Sequence, residues 1–398
     1  MTYAPRSRGV RAVLAALLLG TAFAPLAATS AQAAKPDDAG SVTVMTRNIY
    51  LGADINRPVR AATEAAEAGG DQAAILVALG RATHETREIV DRTNFAVRSR
   101  LLADEIADTA PDLVGLQEVA LWRSGPLDLA GIAAPSATNV DYDFLEMLLD
   151  DLEEEGVSYE AVNVGMRADV EAPAFAAYPG DPTSRNVRMT MRDVILMRAD
   201  AGLAAVGGGN KIYDVNLAVE IAGVPMNFDR GYNFVDVENA AGVDLRFVNT
   251  HLEAFSSDIA LAQAVQMVTE AGATPRTTVI ACDCNSDPLD DSVKSFDAVA
   301  HKAPYEFIVG QGFEDMWLVR WPAQRGWTAG LSELVNDTRA WGFDHRIDMI
   351  FARTAAGETI RVRHGEVTGD KKGDRDKATG LWPSDHAGVV IKLEGLAD

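Results

Sequence analysis

The sequence predicts an α/β fold, on three observations. Short apolar, β-branched runs bounded by turn formers recur along the whole chain, as buried strands do. Amphipathic helical patterns fall between the early runs. Polar residues stand at the ends or edges of the strand-like runs in one order: Asn48, Glu118, His251, Asp283 with Asn285, Asp348, and Asp385 with His386. A side chain at a strand end is held rigidly and reaches a cleft, so this placement predicts a site where strand ends converge.

The first strand is SVTVMTRN (Ser41–Asn48). An alanine-rich stretch from Ile55 to Arg92 follows, allowing two helices broken at Gly69 and Gly70. It is a candidate helical insertion (about 55–92), either a surface hairpin or a wall of the cleft that selects substrate. The spacing of Phe95, Leu101, Leu102 and Ile106 predicts a framework helix over Phe95–Asp108. DLVGLQE (Asp112–Glu118) is the next strand, and a second helix fits Tyr142–Glu155. The remaining strand runs are DLRFVNTHLE (Asp244–Glu253), TTVIACDCN (Thr277–Asn285), RIDMIF (Arg346–Phe351) and SDHAGVVI (Ser384–Ile391). No linker or internal repeat interrupts them, and dividing the chain would divide the site. One domain over residues 35–398 is expected.

Ahead of it, Arg6, Arg8 and Arg11 precede an apolar stretch from Ala12 to Ala28 and the small-residue text SAQAA (Ser30–Ala34). This reads as a secretory signal peptide over residues 1–34, cleaved after Ala33 or Ala34, and predicts a secreted or periplasmic protein with no membrane span after cleavage. The stretch is short for a span and is broken by Pro25. Cleavage after Ala33 removes three arginines and no acids, taking the formal charge from −22 to −25. Such a field opposes extended contact with a phosphate backbone, and no lysine- or arginine-rich run offsets it.

The chain has two cysteines, Cys282 and Cys284. On a continuous strand their Cα atoms would lie about 6.5–7 Å apart, near the upper limit for bridging. Two buried free thiols are therefore expected rather than a strained or redox-active pair.

The ordered motifs resemble the endonuclease/exonuclease/phosphatase superfamily, which includes pancreatic-type deoxyribonuclease, apurinic endonucleases, inositol-polyphosphate 5-phosphatases and bacterial sphingomyelinases. The resemblance runs from about Ser41 to Leu393, and its specificity lies in the ordered set, since a lone SDH or QE is common. One departure is CDCN (Cys282–Asn285), where the usual text is Gly-Asp-Phe-Asn; the cysteines replace the Gly and the Phe, and the Asp and Asn are unaffected. The resemblance implies a four-layer α-β-β-α sandwich of two mixed β-sheets.

Hydrolysis of a phosphate ester needs charge neutralisation, an in-line water and help for the departing oxygen. Glu118 is the natural ligand for a hard cation, with Asn48 adding a neutral oxygen and Asp385 facing the metal or a bound water. This sparse oxygen set suits Mg²⁺, or Mn²⁺ or Ca²⁺. By resemblance, Asp348 orients His386 as the acid/base or transition-state group. Asp283 would position or deprotonate water, Asn285 would hydrogen-bond to it or to phosphate, and His251 would stand against the phosphate. Arg230 in DRGY is either a phosphate clamp or a loop arginine paired with Asp229 or Asp236.

The implied function is a monomeric, metal-dependent phosphoester hydrolase, acting on a small-molecule or lipid-headgroup phosphodiester. The alternatives are an extracellular nuclease, with nucleic acid as substrate only, and a non-catalytic binding protein on the same fold.

Overall fold

The computed structural model describes residues 40–396 except 222–223, 340–341, 356 and 358. The expected signal peptide lies outside the described residues.

In chain order the strands are β1 (Ser41–Asn48), β2 (Leu113–Gln117), β3 (Leu121–Gly125), β4 (Asn139–Asp143), β5 (Tyr159–Ala174), β6 (Arg185–Arg198), β7 (Ala204–Ile212) and β8 (Leu217–Ile221). They continue with β9 (Val224–Phe228), β10 (Gly231–Glu238), β11 (Asp244–His251), β12 (Thr277–Asp283), β13 (Glu314–Asp315), β14 (Asp348–Arg353), β15 (Arg361–Thr368) and β16 (Gly388–Glu394). One mixed sheet runs β15-β16-β1-β2-β6-β3-β4, with β5 also on β6; the second runs β13-β14-β12-β11-β10-β7; β8 and β9 form a separate ribbon.

Period-two alternation decides which side chains meet. Val44, Leu113 and Ile195 of the first sheet face Phe247, Val279 and Ile350 of the second, forming the central core. The intervening residues face outward under helices. Val114, Leu116, Val194 and Leu196 pack beneath α3 (Phe95–Thr109) and α4 (Phe144–Glu154), through Leu102, Ile106, Leu148 and Leu152. On the other side, Val248, Ile280 and Phe351 pack under α5 (Ser257–Glu270) and α6 (Ala303–Gly310), through Ala264, Met267 and Ile308. This is the four-layer α-β-β-α sandwich.

The sheets approach closely at Gly115, where an added Cβ would stand 2.8 Å from Asn249 Oδ1 and 3.0 Å from the Ala281 Cβ. Asn249 is fully buried there, donating to the Leu116 and Val194 carbonyls and accepting from Gln117 Nε2 at 2.7 Å. Its donors and its acceptor are thus engaged across the sandwich, as a buried amide requires.

Residues 55–92 contain α1 (Arg57–Glu67) and α2 (Gln72–Arg92), separated at Gly69, whose φ of +79° suits glycine at a helix end. Asp71 caps α2 by accepting from Ala74 N. The two helices pack together, and α2 lies against β5.

Cys282 and Cys284 form a disulfide with Cα atoms 5.1 Å apart, which corrects the expectation of free thiols. That expectation assumed an extended strand through Cys284. β12 instead ends at Asp283, and the chain bends there out of the fully extended conformation, bringing the Cα atoms of its two neighbours into bridging range.

Candidate active site

Strand register gathers the site. Asn48 pairs with Gln117 at the ends of parallel β1 and β2, and His251 pairs with Asp283 at the ends of parallel β11 and β12. β14 runs antiparallel to β12, so its first residue, Asp348, lies opposite Asp283 at this same end. Asp385 and His386 arrive in the segment before β16. Asn48, His251, Asp283 and Asp348 lie on the inward-facing parity of their strands, and the Asn48 side chain crosses between sheets to donate to Asp283 Oδ2 at 2.9 Å.

The result is a cleft of about 330 Å³ bordered by Glu118, Arg230, His251, Asp283, Asn285, Asp385 and His386. Three of its lining residues hold left-handed backbone without being glycine: Tyr50 (φ 59°), Glu118 (φ 60°) and Asn285 (φ 43°). Such geometry costs on the order of 1 kcal/mol or more per residue and is kept where surrounding structure enforces it, characteristically at functional sites.

His386 Nδ1 lies 2.9 Å from Asp348 Oδ2 and 3.8 Å from Asp283 Oδ2. Among the described residues Nε2 has no hydrogen-bond partner. Burial opposes a charge on this imidazole, but Asp348, Asp283 and Asp385 outweigh it and raise its pKa well above the usual histidine range. Asp283 is pushed up to about 7 by burial and by Asp348, against the pull of His386 and the Asn48 hydrogen bond. Asp283, Asp348 and His386 bring their ligand atoms within 4.8 Å of one another.

His251 has the opposite character. Burial, then Arg230 and His386, push its pKa well below the ordinary value, so the ring is neutral. Arg230 Nη1 lies 2.7 Å from His251 Nδ1, which must accept, leaving Nε2–H to face Asp283 Oδ2 at 3.3 Å. Arg230 is therefore neither paired with Asp229 nor with Asp236, which instead binds Arg246. Its guanidinium faces the cleft with Glu253 beyond it.

Glu118 Oε2 accepts from Leu51 N at 2.9 Å, and Asn48 Oδ1 accepts from Tyr50 N. Asp385 is pushed up to about 6 by burial, with Glu118 adding to the effect and His386 and Arg98 opposing it. Asp385 and Glu118 line the same cleft, and the Glu118 carboxylate opposes ionisation of Asp385; such a pair of acids suits a hard divalent cation. Asn285 donates to the Leu252 carbonyl, which ties the turn after Asp283 to the end of β11.

Supporting residues escaped sequence reasoning. Arg98 on α3 is fully buried and donates to the carbonyls of Thr93, Ile49, Tyr50 and Pro383, clasping the segments that carry Asn48 and Asp385. Its signal was an arginine in register with Phe95 and Leu102 on the apolar stripe. Arg47 donates to the His386 carbonyl and pairs with Glu105 at 2.9 Å. Glu253, two residues past His251 in NTHLE, is buried in the cleft wall, and its Oε2 has no hydrogen bond.

An α-β-β-α sandwich that gathers an Asp–His pair and several buried acids where strand ends converge is the architecture of a metal-dependent phosphoester hydrolase. The chain belongs to the Endonuclease/Exonuclease/phosphatase family, whose model matches residues 90–386. Its structure is similar to a protein of this family from Bacteroides vulgatus, at 18% identity and TM-score 0.51, covering 89% of this chain and 98% of that one. A family protein from Bacteroides thetaiotaomicron aligns at 16% identity and TM-score 0.50, covering 89% and 97%. No curated protein matches the chain in sequence.

Proposed function

We propose that the protein is an exported Mg²⁺-dependent phosphodiesterase, with Mn²⁺ or Ca²⁺ as alternative cations, acting on a small-molecule or lipid-headgroup phosphodiester. The observation that carries the diester reading is the charge of the cleft. Among its described lining residues Arg230 is the one arginine or lysine and His386 a second cation, against Glu118, Glu253, Asp283 and Asp385; Asp54 and Glu333 are already paired with Arg60 and Arg57. A diester brings one negative charge and a monoester about two, so the diester meets less repulsion from these acids. A nucleic-acid strand would set many phosphates against this rim and against a net charge of −22, without a basic stripe to release counterions.

Glu118, Asp385 and Asn48 would hold the cation. Bound there, it would neutralise non-bridging phosphate oxygens and polarise the ester. The remaining roles fall to the chain's own groups. Asp283, with its pKa near neutrality, accepts the proton of the attacking water. Asn285 lines the same side and orients that water. His251 serves as a positioning residue, since both its nitrogens are engaged and it holds Arg230 beside Asp283. Arg230 offers its remaining N–H groups to a phosphate oxygen. His386 presents Nε2–H to the phosphoryl group or the departing oxygen, as a cation kept charged by Asp348.

The N-terminal arginines, apolar stretch and SAQAA support export, as does a disulfide, which persists in oxidising compartments. N-terminal sequencing of protein from the culture medium should begin at Ala34 or Lys35; an intact Met1 on the secreted chain would refute cleavage. We further read residues 35–398 as one monomeric domain, for which sedimentation should give the mass of one chain.

The test of substrate class compares kcat/KM on bis(4-nitrophenyl) phosphate, 4-nitrophenyl phosphate and duplex DNA with Mg²⁺. The expected order has the diester at least tenfold above the monoester, with weak, salt-sensitive activity on DNA. A monoester preference, or DNA as the fastest substrate, would overturn the reading.

A further inference from the structure

A second cavity, of about 120 Å³, lies beside the catalytic cleft and differs from it in chemistry. Val59, Ile75, Leu76 and Leu79 of the α1–α2 hairpin close it over Val170 and Met189 of β5 and β6. Apart from Gln72, which is exposed, the polar side chains on its wall are hydrogen-bonded. Thr83 donates to the Leu79 carbonyl, Thr86 accepts from Arg57, and Glu171 accepts from the Ser136 and Ala137 backbone amides. No buried polar group there calls for bound water, and an aliphatic cavity of ~150 Å³ stays dry and admits benzene.

The cavity adjoins the active site. Ile55 and Phe228 border both it and the cleft that holds Glu118, Asp283 and His386. A substrate seated with its phosphate at the cleft could pass an apolar group between these two side chains and under the hairpin. Residues 55–92 thus wall the cavity beside the cleft.

We propose that this cavity is the subsite for the apolar group of the substrate's alcohol, a hydrocarbon segment about the size of a benzene ring, or roughly four to six carbons. The proposal rests on the phosphodiesterase reading above, and narrows its substrate class to phosphodiesters of hydrophobic alcohols. Affinity should rise with each methylene until the cavity is filled, and not beyond.

The test uses methyl, butyl and hexyl phosphocholine with Mg²⁺, hydrolysis being followed by phosphorus NMR. The expected result is a kcat/KM at least tenfold higher for hexyl than for methyl. Ala172→Phe, which fills the cavity from β5, should bring that ratio to within about twofold of one; Leu76→Trp, from the opposite wall, serves if the first variant fails to fold. A flat series in the wild type, with the methyl ester hydrolysed, overturns the subsite and leaves the phosphodiesterase standing. If no ester is hydrolysed, the phosphodiesterase reading fails, and saturation-transfer NMR with 1-hexanol decides the cavity. A signal that Ala172→Phe abolishes keeps the apolar subsite, and no signal overturns it.

Discussion

His386 Nδ1 lies 2.9 Å from Asp348 Oδ2, and the pair spans the sandwich, since Asp348 begins a strand of one sheet and His386 precedes a strand of the other. The contact fixes which ring nitrogen is spent inside the protein and which faces the cleft. It also supplies the charge that keeps the imidazole protonated despite burial.

Asp348→Asn should therefore fold normally but lose turnover. The amide still hydrogen-bonds to the ring but no longer supports its charge, so kcat should fall by roughly a hundredfold or more, the usual range for a disabled acid–base group. Steady-state kinetics on bis(4-nitrophenyl) phosphate check this, and an unchanged kcat would remove Asp348 from the mechanism.

Arg98→Leu tests the clasp beneath the site. It strands four buried carbonyls that the guanidinium now serves, and should destabilise the fold by about 3 kcal/mol or more. Urea denaturation measures the loss; a shift under about 1 kcal/mol would show that the carbonyls find other partners.

The disulfide gives a direct chemical count. Denatured, unreduced protein should show no titratable thiol, and two after reduction. Replacing both cysteines with alanine closes no loop in the unfolded chain and should cost about 1.5 kcal/mol on the loop-entropy model. Two free thiols before reduction would restore the sequence-based expectation.

What the sequence made legible was local. The helix break at Gly69, the apolar stripe of α3 and the apolar runs of β1, β11 and β12 can be read locally, and they carry the polar strand ends with them. Three things were not legible for physical reasons. β7 is glycine-rich and mostly exposed, and β5 mixes polar and apolar residues, so neither has the pattern of a buried strand. Arg98 and Arg47 act through carbonyls, whose positions no side-chain motif records. The Cys282–Cys284 bridge depended on where β12 stops, and strand ends are where sequence patterns are weakest.

The most direct measurement of the central claim is turnover of bis(4-nitrophenyl) phosphate by the mature protein in chelator, after restoration of Mg²⁺, and in His386→Ala and Glu118→Gln. No turnover is expected in chelator, recovery with Mg²⁺, and none in either folded variant. Equal rates with and without Mg²⁺, or undiminished rates in His386→Ala, would contradict it.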